Sequence, residues 1–249
     1  MCDTTRRGRA VTVVLVHGAF ADSSSWSGVI ERLQANRVRV TATANPLRGI
    51  DFDSSYLRSV LEQIPGPVLA VGHAYGGAVI SNAGTDVNDV VGLVYVAAFA
   101  PDEGERLGEL SAQSTDSILS SVLVAQPYPS PNGVPDVEFT VEPAGFREAL
   151  VGDLSAGQAA IMAVTQRPIS ELAFSEPSGR PAWKALRSWA VVATADMAAG
   201  TDLVRSMARR AGAEITEIAG SHFVMISRPE AVTDVIVEAL AAVSQATER

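Results

Sequence analysis

Short apolar segments rich in β-branched residues alternate with amphipathic helical patterns along most of this sequence. Each apolar segment ends in turn-forming residues and is predicted to be a buried strand: residues 11–17, 38–45, 67–73, 90–99, 188–196 and 213–220. Helical patterns lie between or after them: residues 24–35, 54–64, 76–84, 201–211 and 229–246. Because alternating strands and helices assemble into a parallel sheet covered on both faces, we expect an α/β fold with a doubly wound, mostly parallel sheet.

One long segment interrupts this alternation. Residues 100–185 contain 9 of the 13 prolines and show helical patterns only at residues 145–154 and 156–165. We interpret the segment as a helical cap inserted in the core and packed over one end of the sheet. The sequence therefore predicts a core formed by residues 1–99 and 186–249, with the cap at residues 100–185.

The acidic balance of the chain argues against a nucleic-acid partner. The 249 residues include 28 Asp plus Glu against 19 Lys plus Arg, which gives a formal net charge of −9. A polyphosphate backbone requires a basic surface, so we expect no binding to nucleic acid. The single cysteine, Cys2, excludes an intramolecular disulfide and provides no set of thiolates for a metal, which fits a reducing compartment.

The N-terminal residues resemble an export signal in one respect only. Residues 6–9 are rich in arginine and precede an apolar run at residues 10–16, but this run is short and leads into His17 and Gly18. We interpret it as a buried strand followed by a functional turn. No apolar stretch approaches the roughly 18 residues that a membrane span needs. We therefore expect a cytoplasmic protein that does not associate with a membrane.

Residues 71–77 read Val-Gly-His-Ala-Tyr-Gly-Gly and lie directly between a strand pattern and a helix pattern. A nucleophile elbow, Gly-x-Ser-x-Gly, occupies this context, because its central residue sits in a strained turn where neighbouring Cβ atoms would collide. Gly72 and Gly76 preserve this frame, but the central residue is Ala74. A methyl group cannot attack a carbonyl, so the chain lacks the nucleophile that the motif is shaped to present.

The sequence resembles the α/β-hydrolase superfamily, in the branch of small cytosolic esterases related to methylesterases and hydroxynitrile lyases. The resemblance spans nearly the whole chain and implies the α/β-hydrolase fold. It rests on four motifs: residues 14–20 with Trp26, the elbow at residues 71–77, residues 194–196, and residues 220–222. In this family the nucleophile, the acid and the base follow one another along the chain, and positions 74, 196 and 222 keep that order.

The resemblance implies a role for each member of the catalytic group. His222 would accept the proton of the nucleophile and return it to the leaving group, while Asp196 would orient the imidazole and stabilise its charged form. The other two histidines, His17 and His73, lie inside turn motifs, which favours His222 as the base. Asp102, which follows the strand pattern at residues 90–99, is the alternative acid.

The family also implies donors for the oxyanion and contacts for the substrate. The oxyanion hole would use the backbone N–H of Tyr75 and one from Ala19 or Phe20. The candidate substrate contacts are Phe20, Tyr75, Met162 and Phe223. Hydroxynitrile lyases of this branch carry a lysine directly after the base histidine, and Phe223 occupies that position here. This departure favours ester hydrolysis over cyanohydrin cleavage.

The function that the resemblance implies is hydrolysis of a small apolar carboxylic ester or related acyl substrate through an acyl-enzyme at residue 74. With alanine at that position, we expect the chain to be nearly inactive. We interpret Ala74 as an engineered replacement of serine, because the acid, the base and both donor turns still match a working site. The alternative is a natural ligand-binding protein, or a non-covalent catalyst such as a lyase or cyclase, on the same scaffold.

Neither a cofactor nor a metal is expected. The carboxylates are scattered and the three histidines already have roles, so a zinc or di-iron site lacks ligands. The glycines from Gly72 to Gly77 do not form a dinucleotide-binding motif, because position 74 is not glycine. We expect a small-molecule ester or acyl substrate and a monomer or homodimer.

Overall fold

The computed structural model describes residues 10–87, 89–130 and 133–247, so Cys2 and the arginine-rich residues 6–9 lie outside the described residues. The strands in these ranges are β1 (Thr12–Val16), β2 (Arg39–Thr43), β3 (Val68–His73), β4 (Val90–Val96), β5 (Leu123–Tyr128), β6 (Asp136–Val141), β7 (Ile169–Ser170), β8 (Ser188–Ala193) and β9 (Glu214–Ile218). The helices are α1 (Ser27–Ala35), α2 (Ile50–Glu62), α3 (Tyr75–Ala83), α4 (Leu107–Ser111), α5 (Pro143–Leu150), α6 (Ala156–Thr165), α7 (Leu172–Ser175), α8 (Thr201–Arg210), α9 (Val224–Ser227) and α10 (Pro229–Thr247).

The central sheet is parallel and contains six strands in the order β2-β1-β3-β4-β8-β9. The inner strands β1, β3 and β8 are buried along their whole length, as expected when both faces of a parallel sheet are covered. From β1 the chain passes to β2 on one side and then to β3 on the other. The carboxyl ends of β1 and β3 therefore flank the crevice where open α/β sheets bind ligands.

Helices cover both faces of this sheet. Helix α1 packs against α10, and α2 packs against α3. The neighbouring residues Gly92 and Leu93 of β4 show that these two pairs are on opposite faces, because side chains alternate along a strand. A Cβ on Gly92 would lie 2.9 Å from Val243 of α10, whereas Leu93 lies near Gly84 at the end of α3. The doubly wound, mostly parallel sheet predicted from the sequence is confirmed.

The segment at residues 100–185, expected from the sequence to be a helical cap, contains strands as well as helices. Strands β5, β6 and β7 form a separate antiparallel sheet in that order. Pro127 lies in β5 because β5 is an edge strand, where the missing N–H of proline costs no ladder hydrogen bond. The helical pattern at residues 156–165 corresponds to α6, which begins with a capping box between Ser155 and Gln158.

This inserted segment, called the insertion below, lies over the carboxyl end of the central sheet. Four loops, each following a different central strand, are joined to it by backbone hydrogen bonds. The bonds run from Phe20 to Arg167, from Ser170 to Leu47, from Ile118 to Met197 and from Phe223 to Leu150. No helix in the described part of the chain is long and apolar enough to cross a membrane.

Candidate active site

The turn between β3 and α3 holds Ala74 in an unusual backbone conformation, with φ of 49° and ψ of −120°. A non-glycine residue at such angles is strained, and this kind of strain is concentrated at functional turns. The flanking residues must be glycine, because a side chain at either position would collide with neighbouring backbone atoms. A Cβ on Gly72 would lie 2.5 Å from the carbonyl oxygen of Gly76, and a Cβ on Gly76 would lie 2.6 Å from that of Val16. The elbow geometry that the motif predicts is therefore present around an alanine.

His222 and Asp196 form a hydrogen-bonded pair at the ends of β9 and β8. The Nδ1 atom of His222 lies 3.0 and 2.9 Å from the two carboxylate oxygens of Asp196. The backbone N–H groups of Ala198 and Ala199 donate to Asp196 Oδ1 at 2.9 and 3.0 Å. A carboxylate only accepts, so Nδ1 carries the hydrogen and Nε2 is the nitrogen available as a base. This arrangement can orient an imidazole and stabilise its charged form.

Asp102, the alternative acid, has other partners. Its carboxylate forms an ion pair with Lys184 and accepts the backbone N–H of Glu103 at 2.6 Å. The hydrogen bond from Lys184 lowers the pKa of Asp102 below its usual value. Asp196, and not Asp102, is therefore the carboxylate that is hydrogen-bonded to His222.

The other two histidines connect loops at the carboxyl end of the sheet. The Nε2 atom of His17 accepts the backbone N–H of Asn45 at 2.9 Å, so Nδ1 carries the hydrogen and donates to the carbonyl of Gly18 at 2.8 Å. The Nε2 atom of His73 lies 3.0 Å from the carbonyl oxygen of His222. Burial lowers the pKa of His17, and it lowers that of His73 well below the ordinary value. Both rings are therefore neutral supports for the surrounding backbone.

A narrow apolar cavity of about 30 Å³ brings the elbow and the histidine together. The residues that line it are Ala19, Phe20, Ala74, Tyr75, Phe99, Leu107, Leu119, Leu150, Phe174, Ala198, Ala199 and His222. His222 contributes the imidazole of this lining. Leu107, Leu119 and Leu150 come from the insertion and were not identified from the sequence, because nothing in a loop-rich segment indicates which leucines face a site.

The predicted oxyanion donors differ in their hydrogen bonding. The Phe20 N–H donates to the carbonyl of Arg167 at 3.2 Å, so it is already used by the insertion. Tyr75 is the first residue of α3, where a backbone N–H has no partner within the helix. Ala19 and Tyr75 line the same cavity as Ala74, and their N–H groups stay the predicted donors for an oxyanion.

The predicted substrate contacts also occupy different environments. Phe20 and Tyr75 line the cavity, but the phenol of Tyr75 donates to the buried carboxyl of Asp53 at 2.8 Å. Met162 lines a neighbouring depression of about 110 Å³ that also contacts Phe20. Phe223 is fully buried, with its ring centroid 4.8 Å from that of His73. Met162 and Phe223 thus do not line the cavity at Ala74, and Phe223 packs against the ring of His222.

Within residues 10–87, 89–130 and 133–247, no three His, Cys, Asp or Glu side chains cluster as ligands.

Comparisons with known proteins identify a family and a fold for this chain. Residues 13–235 match the alpha/beta hydrolase family. The solved structure of polyneuridine aldehyde esterase superposes with a TM-score of 0.77 at 20% identity, covering 93% of this chain and 99% of its own. A pyrethroid hydrolase from Sphingobium faniae gives 0.74 at 19% identity, covering 94% and 98%. Tomato methylketone synthase I in complex with 2-tridecanone gives 0.78 at 18% identity, covering 94% and 99%.

At these identities the structural likeness establishes the fold and not the substrate. No functionally curated protein matches the chain. The matched residues extend from β1 into α10 and include the turn at Ala74, the loop that carries Asp196 and the loop that carries His222. The chain therefore belongs to the alpha/beta hydrolase family.

Proposed function

We propose that the cavity at Ala74 is the site of a carboxylic ester hydrolase for small apolar acyl substrates, disabled because alanine occupies the nucleophile position. The observation that carries this proposal is the convergence of the strained turn at Ala74 and the His222–Asp196 pair on one apolar cavity. The apolar lining supports an uncharged substrate, because a charged group would lose its hydration there without a paired counter-ion.

A serine at position 74 would complete the reaction. Its Oγ would attack the ester carbonyl while His222 Nε2 accepts its proton, and the N–H groups of Ala19 and Tyr75 would stabilise the oxyanion. The alcohol would leave with the proton from His222. A water molecule, deprotonated by the same nitrogen, would then hydrolyse the acyl-enzyme to the carboxylic acid and restore the serine. Without the hydroxyl, the first bond cannot form.

We interpret Ala74 as an inactivating replacement of serine. Its backbone strain costs on the order of 1–3 kcal/mol, and alanine makes no chemical use of that conformation. The acid, its two backbone donors and the base remain hydrogen-bonded as an active serine would require.

The test restores the hydroxyl. We expect Ala74→Ser to raise turnover of short p-nitrophenyl esters by roughly 10⁴-fold or more, since triad members act as a unit. A fluorophosphonate probe should label Ala74→Ser and leave the unaltered chain unlabelled. The matched control is Ala74→Ser combined with His222→Ala, in which turnover should fall back. A folded Ala74→Ser protein that is inert and unlabelled would contradict the proposal.

A second candidate function follows from the same cavity without a covalent step. The base and the oxyanion donors persist without a nucleophile, and the structural neighbours include methylketone synthase I, also solved as a variant in complex with beta-ketoheptanoate. In this chain, a β-keto acid would lose CO₂ to give an enolate held by the N–H groups of Ala19 and Tyr75. Protonation of its carbon through His222 would then yield the methyl ketone.

The two candidates predict opposite activities for the unaltered chain. Decarboxylation of 3-oxo acids above the buffer rate, lost in His222→Ala, would favour the non-covalent reaction. Methyl ketone formation by the unaltered chain at no more than the buffer rate would reject it, whatever the outcome for Ala74→Ser.

A further inference from the structure

The loop that carries His222 is held on both sides by the insertion. Before the histidine, Ser221 donates its backbone N–H to Asp153 Oδ2 at 3.1 Å, and its hydroxyl donates to Oδ1 of the same carboxylate. After the histidine, the N–H of Phe223 donates to the carbonyl of Leu150 at 3.3 Å. Leu150 and Asp153 lie at the end of α5 and in the turn that follows it. One short segment of the insertion therefore contacts both neighbours of the catalytic histidine.

The approach of Asp153 to this loop depends on the residue before Ser221. A Cβ on Gly220 would lie 3.3 Å from Asp153 Oδ2 and 3.0 Å from a methyl carbon of Val224, so a side chain there would crowd the carboxylate. Desolvation opposes ionisation of Asp153, but hydrogen bonds, first those from Ser221 and Ser227, together outweigh it and lower the pKa of the carboxyl. Asp153 is therefore ionised at neutral pH, and its bonds to Ser221 are charge-assisted.

The core of the fold contacts this loop at His222 and on either side of it. Asp196 accepts from the ring, and His73 contacts the backbone carbonyl. The carbonyl of Gly220 also accepts the N–H of Ala195 at 3.0 Å, and the ring of Phe223 packs on that of His73. The N–H and the hydroxyl of Ser221, in contrast, donate to the insertion through Asp153. Since base catalysis depends on the position of Nε2 to within a fraction of an ångström, the anchoring of the loop bears directly on the chemistry.

We propose that Asp153 is a positioning residue for His222, holding Ser221 so that the imidazole keeps its hydrogen bond to Asp196 and faces residue 74. This inference rests on the proposed role of His222 as the base. Asp153 contacts neither the cavity nor the substrate, and it acts through the loop alone.

The first test uses the chain with Ala74 and needs no activity. The Nδ1 proton of His222, assigned by its disappearance in His222→Ala, is followed by proton NMR. We expect Asp153→Ala to shift this resonance and speed its exchange with solvent, and Asp153→Asn to do so less, because an amide oxygen still accepts one bond. Glu138→Gln is the matched control, because Glu138 also joins the insertion to the core, through Arg48 at 2.7 Å. An unchanged resonance in Asp153→Ala would overturn the inference.

The second test uses the Ala74→Ser background. We expect Asp153→Ala to lower kcat about ten-fold or more while KM changes less than about two-fold, because the loop positions the base and not the substrate. Asp153→Asn should recover part of kcat, and Glu138→Gln should leave it unchanged. Equal kcat in Asp153→Ala and its parent would overturn the inference.

The two tests separate failure of the inference from failure of the proposed function. If Ala74→Ser is inert but Asp153→Ala still perturbs the Nδ1 proton, the positioning role stands and the ester hydrolase proposal fails. Circular dichroism and thermal unfolding establish that each variant is folded. Ser221→Ala, which removes only the hydroxyl bond, replaces Asp153→Ala if the latter does not fold, with the same expected direction in both tests.

Discussion

At the scale of single residues, Ala74 combines an unusual backbone conformation with a position in the cavity lining. Its positive φ places it where a side chain projects from a sharp turn into the cavity shared with His222. Replacing an oxygen-bearing side chain by a methyl group leaves this geometry in place, because the turn is set by contacts of Gly72 and Gly76 with neighbouring backbone. The backbone geometry at residue 74 therefore does not depend on whether its side chain carries a nucleophilic oxygen.

The strain at Ala74 predicts a stabilising substitution. Ala74→Gly should raise the free energy of unfolding by about 1 kcal/mol, because relief of roughly 1–3 kcal/mol of strain exceeds the entropy that glycine adds to the unfolded chain. Urea unfolding at pH 7 measures this change. Ala78→Gly, inside α3, is the control and should lower stability by about 1 kcal/mol. A loss of stability in Ala74→Gly would mean that the turn is not strained.

At the scale of elements, the carboxyl ends of four central strands supply the site. The loop after β1 provides Ala19, the turn after β3 provides Ala74, and the loops after β8 and β9 provide Asp196 and His222. Parallel strands bring all these loops to one edge of the sheet, so residues far apart in sequence converge. Helix α3 is positioned on β1 by the close contact of Gly76 with the carbonyl of Val16.

That contact gives a prediction for the packing of α3. Gly76→Ala should lower the free energy of unfolding by about 2 kcal/mol or more, because its Cβ would lie 2.6 Å from the Val16 carbonyl oxygen and force the helix away from the sheet. Thermal unfolding compares it with Gly157→Ala in α6, where no atom lies within 4 Å of the added Cβ. The control should be neutral or gain a few tenths of a kcal/mol. A Gly76→Ala protein as stable as its parent would show that α3 adjusts freely.

At the scale of the whole molecule, the insertion closes the carboxyl end of the sheet. It contributes leucines to the cavity, bonds to the Phe20 N–H, and anchors both neighbours of His222. Pockets for drug-sized ligands occupy roughly 300–1,000 Å³, whereas the cavity here is about 30 Å³. A substrate of more than a few atoms therefore requires lining side chains, among them those of the insertion, to move.

The buried neutral histidines predict how global stability depends on pH. In the unfolded chain His17 and His73 take up protons near pH 6.5, but burial lowers the pKa of both in the folded state. The unfolded state therefore binds more protons just below pH 6.5. The stability present above that pH should be lost as pH falls, by up to about 1.4 kcal/mol per pH unit for each histidine.

Urea unfolding at pH 7.0, 6.0 and 5.5 measures this slope. Histidine NMR provides the control, since in the folded protein the ring of His17 should take up its proton below pH 6.5, and that of His73 well below it. Rings that titrate near pH 6.5 in the folded state, or a free energy of unfolding that is flat over this range, would be inconsistent with the burial of neutral histidines.

The sequence by itself determined the central sheet, because hydrophobic periodicity and turn residues act over a few neighbours. Strands β1 and β8 begin and end within a few residues of their predicted bounds, and the glycines of the elbow, followed in order by Asp196 and His222, indicated the site. These signals are local, or are preserved in chain order by the family resemblance.

Only the tertiary structure decided how the insertion meets that site. It placed Phe223 behind His222, removed Phe20 from the free N–H donors, and joined Asp153 to Ser221. It also placed Pro127 in an antiparallel edge strand, β5. The physical reason is that these contacts join residues tens of positions apart, and their energy depends on which surfaces meet after folding, which no local pattern of residues specifies.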